Sequence, residues 1–521
     1  MKLKLSMFDI QSKKLFLGIS LAVTAVLFAF HYWLYWPGYI QDDSQTTFLL
    51  LKSGWHPVIM AYLIEGMYKL FGYHIYHLFL LTLLPFYLGM WIVVYVASLK
   101  TKSWLSLLWF FPFTIGNLFY ALIKLGSSSF SGSWVFLLYA LTLAMILTPV
   151  CQKWKKSFYT FYGLVFVVAL LSRHNAIFQV WPVTFVWIAM FLSAKELSFW
   201  KYVRQFIGWA FLSGLGCSVL LIGLNKALIS SDEGNSYPAT LIVMHQIVGA
   251  CAPDMDETCY RPEWWSEKWS QYDSKERMLL LKRKYADHVM DAEAFSLSYD
   301  PDVVFKYFTD LKGRFERLFY AIRKHPQNYY EHINHYFIRM WGLWPNLVSP
   351  EKLARVYSEK SMIRHSTIWN PTSEREKEQF RFIAKQMPKN EMTIAWTENQ
   401  RKIDKFVRED AISLDIIWFI RIAYILLAVG VLVFIKNRNN LMNMLLIAVS
   451  GSGFFTALVM PFISPRVYVR YMEPMIFCSV FALGLALLMA VMNKEEICRF
   501  TKKCYGWLKL LYSDTVTYWK K

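Results

Sequence analysis

The chain has 521 residues, 56% of them hydrophobic and 18% aromatic, with a mean hydropathy of +0.29. That composition excludes an ordinary soluble domain of this length and points to a polytopic membrane protein. The net charge of +19 would suit nucleic acid in a soluble protein, but the basic residues sit in short connections between apolar runs, where the positive-inside rule explains them and no nucleic-acid partner follows.

Apolar runs of about 17 residues or more can span a bilayer. In chain order they lie at 14–36, 73–98, 104–123, 133–150, 157–172, 175–194, 205–229, 412–435, 441–463 and 471–492. The first is long and lacks a small-residue cleavage site, so it reads as an anchor and not a signal peptide. Every second connection is basic. Lys2, Lys4, Lys13 and Lys14 precede the first span, and Lys100 and Lys102 follow the second. Lys153, Lys155 and Lys156, then Lys195, Lys201 and Arg204, then Lys436 and Arg438, and finally the tail continue the alternation. These connections and both termini are expected in the cytoplasm.

The organisation that follows is a membrane module over 1–229 with a first outer loop at 37–72, an outer helical domain over 230–411, membrane helices over 412–492, and a basic tail over 493–521. In the first outer loop, Leu49, Leu50, Val58, Met60, Leu63 and Met67 suit short helices lying in the interface. In the outer domain, Val304, Phe308, Leu311, Phe315, Phe319 and Ile322 form one apolar stripe at helical spacing. Pro326 ends that helix, and Tyr330, Ile333, Phe337 and Trp341 line the next. Trp264, Trp265, Trp341 and Trp344 read as interface anchors. Cys251 and Cys259 lie close together in the outer region, and in an oxidising compartment that spacing reads as a disulfide loop.

The unusual polar clusters all fall on the outward side. Asp42 and Asp43 follow the first span, with Gly54-Trp-His56-Pro57 shortly after. Adjacent acids just past a membrane exit suit chemistry on a substrate whose tail stays in lipid; a helix cap by Asp42-Asp43-Ser44 is the competing explanation. Lys124-Leu-Gly-Ser-Ser-Ser129, Arg173-His174-Asn175 and Ser464-Pro-Arg466-Val-Tyr-Val-Arg470 share that side. Lys124 and Arg173 also read as snorkelling residues at span ends, and Arg466 with Arg470 as a site for anionic lipid. Outside the membrane no nucleotide pool exists, so group transfer there needs a donor carried across on lipid. A polyprenyl-phosphate sugar fits. Cations from Lys124, Arg173, Arg466 and Arg470 would meet its phosphate, and an Asp would take the acceptor's proton. His332 and His335, three residues apart, offer imidazoles to a metal, though a wet helix face explains them better. A transporter would place ionisable groups in mid-span, and these spans are nearly free of acids.

The chain resembles bacterial GT-C membrane glycosyltransferases, which use polyprenyl-phosphate sugars. The resemblance rests on Pro37-Gly38, Asp43-Ser44 and His56-Pro57, on Leu171-Ser-Arg-His-Asn-Ala176 with Pro182, on His245-Gln-Ile-Val-Gly249, and on Lys324-His-Pro-Gln-Asn-Tyr329. It implies a GT-C-like, all-α fold of about ten membrane helices with an outer interfacial site. Asp43 aligns with the family's acid and is assigned as base, with Asp42 beside it. Lys124, Arg173, His174, Asn175, Arg466, Arg470 and His56 are assigned to the donor. The implied reaction moves a hexose such as glucose to an envelope glycan such as lipopolysaccharide O-antigen, in a bacterial inner membrane. Lipid A, teichoic acid and protein are the alternative acceptors, and a lipid-sugar flippase is the alternative function. The resemblance names no definite cofactor, and a divalent metal is left open by Leu125 and Gln246, where look-alikes tend to carry acids.

Overall fold

The computed structural model describes residues 12–36, 58–74, 76–114, 127–148, 154–229, 238–287, 303–306, 311–341, 416–437, 440–463 and 473–493, with a few single positions between them. The apolar helices are α1 (Lys13–Tyr35), α3 (Tyr76–Thr101), α4 (Ser127–Leu147), α5 (Lys155–Leu171), α6 (Ile177–Ser193), α7 (Phe199–Leu228), α12 (Ile416–Lys436), α13 (Leu441–Ile463) and α14 (Glu473–Met492). The amphipathic α2 (Ile59–Phe71) lies between α1 and α3. A polar domain between α7 and α12 contains α8 (Pro238–Cys251), α9 (Ser274–Asp287), α10 (Leu311–Lys324) and α11 (Pro326–Met340).

Seven of these helices, α1, α3, α4, α7, α12, α13 and α14, are long and apolar enough to cross a membrane. The protein is thus a multi-span, all-helical membrane protein. The other three expected spans take different forms. Residues 157–172 fall in α5, which has 17 residues. Residues 175–194 fall in α6, which is interrupted at Trp181–Val183 by a 3-10 turn. Pro182 has no N–H to continue the α ladder, and in the preceding turn the Gln179 carbonyl accepts from Tyr139 Oη at 3.0 Å and Ser452 Oγ at 3.1 Å. Residues 104–123 begin as a 3-10 helix, Trp104–Thr114; the segment that follows lies mostly outside the described residues.

Helix α4 is the centre of the bundle. It is enclosed by protein along 89% of its span, against 22%, 17% and 22% for α1, α7 and α12. Lipid is as apolar as leucine, so helices here associate by close packing, which favours small residues. A Cβ on Gly132 of α4 would overlap the Phe477 ring of α14, with Cγ 3.0 Å away. Gly484 of α14 receives Trp109, whose Cε3 would be 2.9 Å from a Cβ, and Gly89 of α3 receives Phe136 of α4 at the same distance. Gly214 of α7 receives Trp181 of α6 in the same way, at 2.9 Å. Each glycine is the notch for an aromatic ring of a neighbouring segment.

Contacts sort the helix ends into two sets. At one end the start of α1 meets the segment after α3, with Phe16 and Trp104 rings 5.0 Å apart, and the start of α7 meets the end of α12, with Tyr202 and Phe434 rings 5.9 Å apart. Lys13, Lys14, Lys100, Lys155, Lys156, Lys201 and Lys436 belong to this end. At the other end, Trp36 lies beside Tyr76, and Tyr62 of α2 donates to the Leu228 carbonyl closing α7 at 3.0 Å. The polar domain docks at this second end. Trp341 Nε1 donates to Ala457 O of α13 at 3.1 Å, and Gln246 Nε2 donates to Phe462 O at 2.5 Å.

The polar domain has its own core, built on Trp264, Trp265, Met244, Leu281, Phe305 and Leu318. This corrects two expectations. Trp264 and Trp265 are 1% and 2% exposed and serve as core, not interface anchors. The stripe over 304–322 is also displaced. Helix α10 starts only at Leu311, Val304 and Phe305 lie in extended chain paired with Trp265, and Phe315 and Phe319 are 41% and 64% exposed. The buried positions are Arg314, Leu318 and Ala321. Arg314 can hold a core position because its guanidinium donates to Thr240 O and Lys306 O, both at 3.1 Å, and lies over the Trp264 ring. A paired buried charge turned the helix by one position, about 100°.

Candidate functional site

Three of the sequence segments singled out above meet where α13 ends. The turn between α5 and α6 supplies Arg173 and Asn175, both buried, and His174, which is exposed. Arg173 Nη1 bonds Ser128 Oγ in the first turn of α4. Asn175 Nδ2 lies 3.3 Å from Met460 Sδ of α13. Two residues on, Phe462 O receives Gln246 of α8, and Tyr329 of α11 donates to Gln246 Oε1 at 3.4 Å. The Arg-His-Asn, His-Gln and His-Pro segments are therefore neighbours in space, though they are far apart in sequence.

Arg173 sits at the N-terminus of α4, where free backbone N–H groups and the helix dipole add to its positive charge. The sequence reading placed Ser127, Ser128 and Ser129 in a connecting loop. They instead form the first turn of α4 and are buried. A run of small polar residues before an apolar segment carried that signal, because serine is compatible with a helix start as well as with a loop.

Asp42, Asp43, His56, Lys124, Arg466 and Arg470 lie outside the described residues. Their flanks are placed. Helix α1 ends at Tyr35, α2 begins at Ile59 and α13 ends at Ile463, all at the end of the bundle that carries Arg173. Helix α2 lies in the first-loop region 37–72, with Met60, Ala61, Ile64 and Tyr68 buried and Leu70 and Phe71 exposed.

In the polar domain, Cys251 and Cys259 are joined by a disulfide. The loop it closes is held by the corner between α10 and α11. His325 lies between two carboxylates, Nδ1 2.7 Å from Asp254 and Nε2 2.7 Å from Asp256. Lys324 Nζ is 2.7 Å from Asp256, and Asn328 donates to Asp254 at 2.9 Å and Ala250 O at 3.0 Å. Burial alone would raise the Asp256 carboxyl, but hydrogen bonds from Lys324, His325 and Thr258 outweigh it and hold the group well below its usual range. Among the described residues, one group of potential metal ligands converges, Cys251, Cys259 and His325. Both sulfurs are in the disulfide, so no thiolate is available to a metal there.

His332 and His335 do not share a wet face. His332 is buried, bonds Tyr285 Oη at 3.0 Å through Nδ1, and packs against His245, whose own Nδ1 bonds Tyr336 Oη at 3.1 Å. Burial, then His245 and His335, push the His332 pKa well below its ordinary value. His335 is exposed and bonds the Glu331 carbonyl. Gly249 makes the histidine packing fit, since a Cβ there would overlap the His332 ring, with Cδ2 2.7 Å away. The glycine of the His-Gln-Ile-Val-Gly segment thus seats a residue of α11. No family model, curated protein or solved structure matches this chain, so its membership rests at the level of a multi-span, all-helical membrane protein.

Proposed function

We propose that this protein is an inverting membrane glycosyltransferase of GT-C type, moving a hexose such as glucose from a polyprenyl phosphate to an envelope glycan such as O-antigen. The carrying observation is the meeting of the Arg173–Asn175 turn, the α4 N-terminus, Gln246 and Tyr329 at the bundle end opposite the basic one. By the positive-inside rule the basic end faces the cytoplasm of a bacterial inner membrane and this end faces out. The donor's tail would lie in the bilayer and its phosphate would approach Arg173 and the α4 N-terminus. Lys124, Arg466 and Arg470 belong to segments adjoining the same end. The Asp43 carboxylate would take the proton of the acceptor hydroxyl, whose oxygen attacks the anomeric carbon. The bond from that carbon to the phosphate oxygen breaks, its electron pair leaves with the polyprenyl phosphate, and the cations stabilise that charge. The seven candidate spans, the last of them Pro474–Met492 within α14, contain no Asp or Glu, which disfavours ion-coupled transport.

The test is transfer from radiolabelled polyprenyl-phosphate sugars in membranes containing the protein, with membranes from a strain lacking the gene as control. Label should move to a glycan in a gene-dependent way, and Asp43→Asn should abolish it with normal expression. Movement of intact lipid-sugar between leaflets without transfer would replace this reading with a flippase.

A further inference from the structure

The polar interior just beyond Arg173 is unusual for a membrane bundle. Asn175 and Gln179 lie one turn apart on the same side of the chain as it enters α6, and they are 7% and 0% exposed. Asn175 Oδ1 and both Gln179 side-chain atoms, Oε1 and Nε2, have no hydrogen-bond partner among the described residues. The helices around them are fixed by bonds to this same stretch: α4 through Tyr139 and Ser128, α13 through Ser452 and Met460. Two primary amides are thus buried side by side with three polar atoms unmet. Buried orphan groups are costly, and each one in a native protein requires an explanation.

The chemistry of the three atoms restricts the occupant. A phosphate offers acceptors alone and would be served by donors alone, as Arg173 serves it. Here two atoms accept and one donates, and neither side chain is charged. That mixture complements hydroxyl groups, which both donate and accept. We infer that Asn175 and Gln179 bind the hydroxyls of the donor's sugar, with the phosphate held above them by Arg173; this rests on the glycosyltransferase reading. The sugar end of the donor therefore enters between α4, α6 and α13, and Gln179 is a determinant of which sugar is accepted.

The experiment uses the full chain in detergent and follows its thermal unfolding midpoint with bare decaprenyl phosphate and with decaprenyl phosphate carrying glucose, mannose or arabinose. In the wild type at least one sugar-bearing lipid should raise the midpoint more than the bare lipid does. Gln179→Met, close in volume, should fold with an unchanged or higher midpoint, keep the response to bare lipid, and lose the extra response to the sugar. In the transfer assay, kcat/KM for that donor should fall roughly tenfold or more, mainly through KM, as expected for one or two lost hydrogen bonds. Asn175→Leu is the second variant, with the same expected split. If transfer proceeds and both variants keep wild-type kcat/KM, the inference fails while the function stands. A lowered midpoint with an unaltered sugar response makes the amides structural and also overturns it. If no lipid shifts the midpoint and no transfer occurs, the glycosyltransferase reading fails and takes this inference with it.

Discussion

Replacing Gly249 by alanine adds one methyl group against a ring that cannot retreat. A Cβ at 249 would overlap the His332 imidazole, and even its Cδ2 would be 2.7 Å away, well inside ordinary carbon contact. The ring is held by Tyr285 through Nδ1 at 3.0 Å and faces His245 at 4.8 Å between ring centres. Overpacking of this kind costs about 1–3 kcal/mol. Moving the ring far enough also breaks the buried bond to Tyr285, a further loss of about 1 kcal/mol. The expected total is about 2–4 kcal/mol, confined to the polar domain. Cys251 and Cys259 are both fully buried in that core, so opening of the core can be timed by reduction of their disulfide in the native protein. When opening is rapid and reversible, the rate scales with the open fraction and should rise about 30-fold to several hundred-fold in Gly249→Ala. His332→Ala also speeds reduction by leaving a cavity, but the double variant should be less destabilised than the sum of the two by about 1 kcal/mol or more. Strict additivity, or a Gly249→Ala rate within twofold of wild type, would refute the packing account.

Four further outcomes are expected. Arg173→Ala should abolish most transfer while the protein still inserts, and Arg173→Lys should restore only part of it, because a point charge replaces a planar fork; wild-type turnover in the alanine variant would reduce Arg173 to an anchor. Asp43→Asn should lose about 100- to 10,000-fold in turnover, as for a missing general base, with Asp42→Asn impaired but measurable, and the reverse ranking would move the base to Asp42. Oxidation-dependent reporters should report outside at Ser53 and Gln271 and inside after Lys155, Lys201 and Asn437, and a cytoplasmic signal at Gln271 would invert the orientation. The polar domain should weaken on acidification in two windows: His332 is held neutral, so its contribution is present above its ordinary value of 6.5 and is lost as pH falls below it, whereas Asp256 is held ionised and its contribution is lost only as pH falls below about 3.8. Disulfide reduction rates against pH should show the upper window in wild type and not in His332→Ala, and the lower one in wild type and not in Asp256→Asn.

The helices that sequence made legible are those facing lipid or enclosed on all sides by apolar neighbours. For α13 the apolar run 441–463 coincides with the helix, because its polar residues Ser450, Ser452 and Thr456 bond carbonyls one turn back or on α6 and do not interrupt the run. The start of α4 was missed for the opposite reason. Ser127 to Ser133 read as a loop when burial is judged by hydropathy alone, yet Ser128 and Ser131 are bonded to Arg173 and Ser172 across a helix contact. In the polar domain, hydropathy placed Phe315 and Phe319 inside and Arg314 outside. Pairing with backbone carbonyls and the Trp264 ring reversed that order, and such pairing is not written in periodicity. Of the candidate site, the Arg173–Asn175 turn was visible as polar residues interrupting apolar runs, and the His-Gln and His-Pro segments only through the family resemblance. That they converge on the end of α13 depends on long-range packing, and Gln179 was hidden because a lone amide in an apolar run carries no pattern.

The glycine notches also bear on how this bundle can move. Two packed helices can slide along one another only if side chains pass over small ridges. A ring seated over a glycine cannot step to the next turn without striking a side chain there. Such seats occur at Gly89, Gly132, Gly214 and Gly484, so α3 is keyed to α4, α4 to α14, α14 to the segment holding Trp109, and α6 to α7. Shear between these pairs is blocked in the way a key blocks a shaft from turning in its hub. Any large rearrangement during turnover would then carry α3, α4 and α14 as one keyed set and α6 with α7 as another. The polar domain meets α13, which holds none of these seats, through Trp341 and Gln246, whose bonds end on its backbone carbonyls, and through Phe337, whose ring lies 5.5 Å from that of Phe462. Because α13 carries no such key, the domain's seat on it is held by those two hydrogen bonds and by apolar packing, not by an interlocked ring.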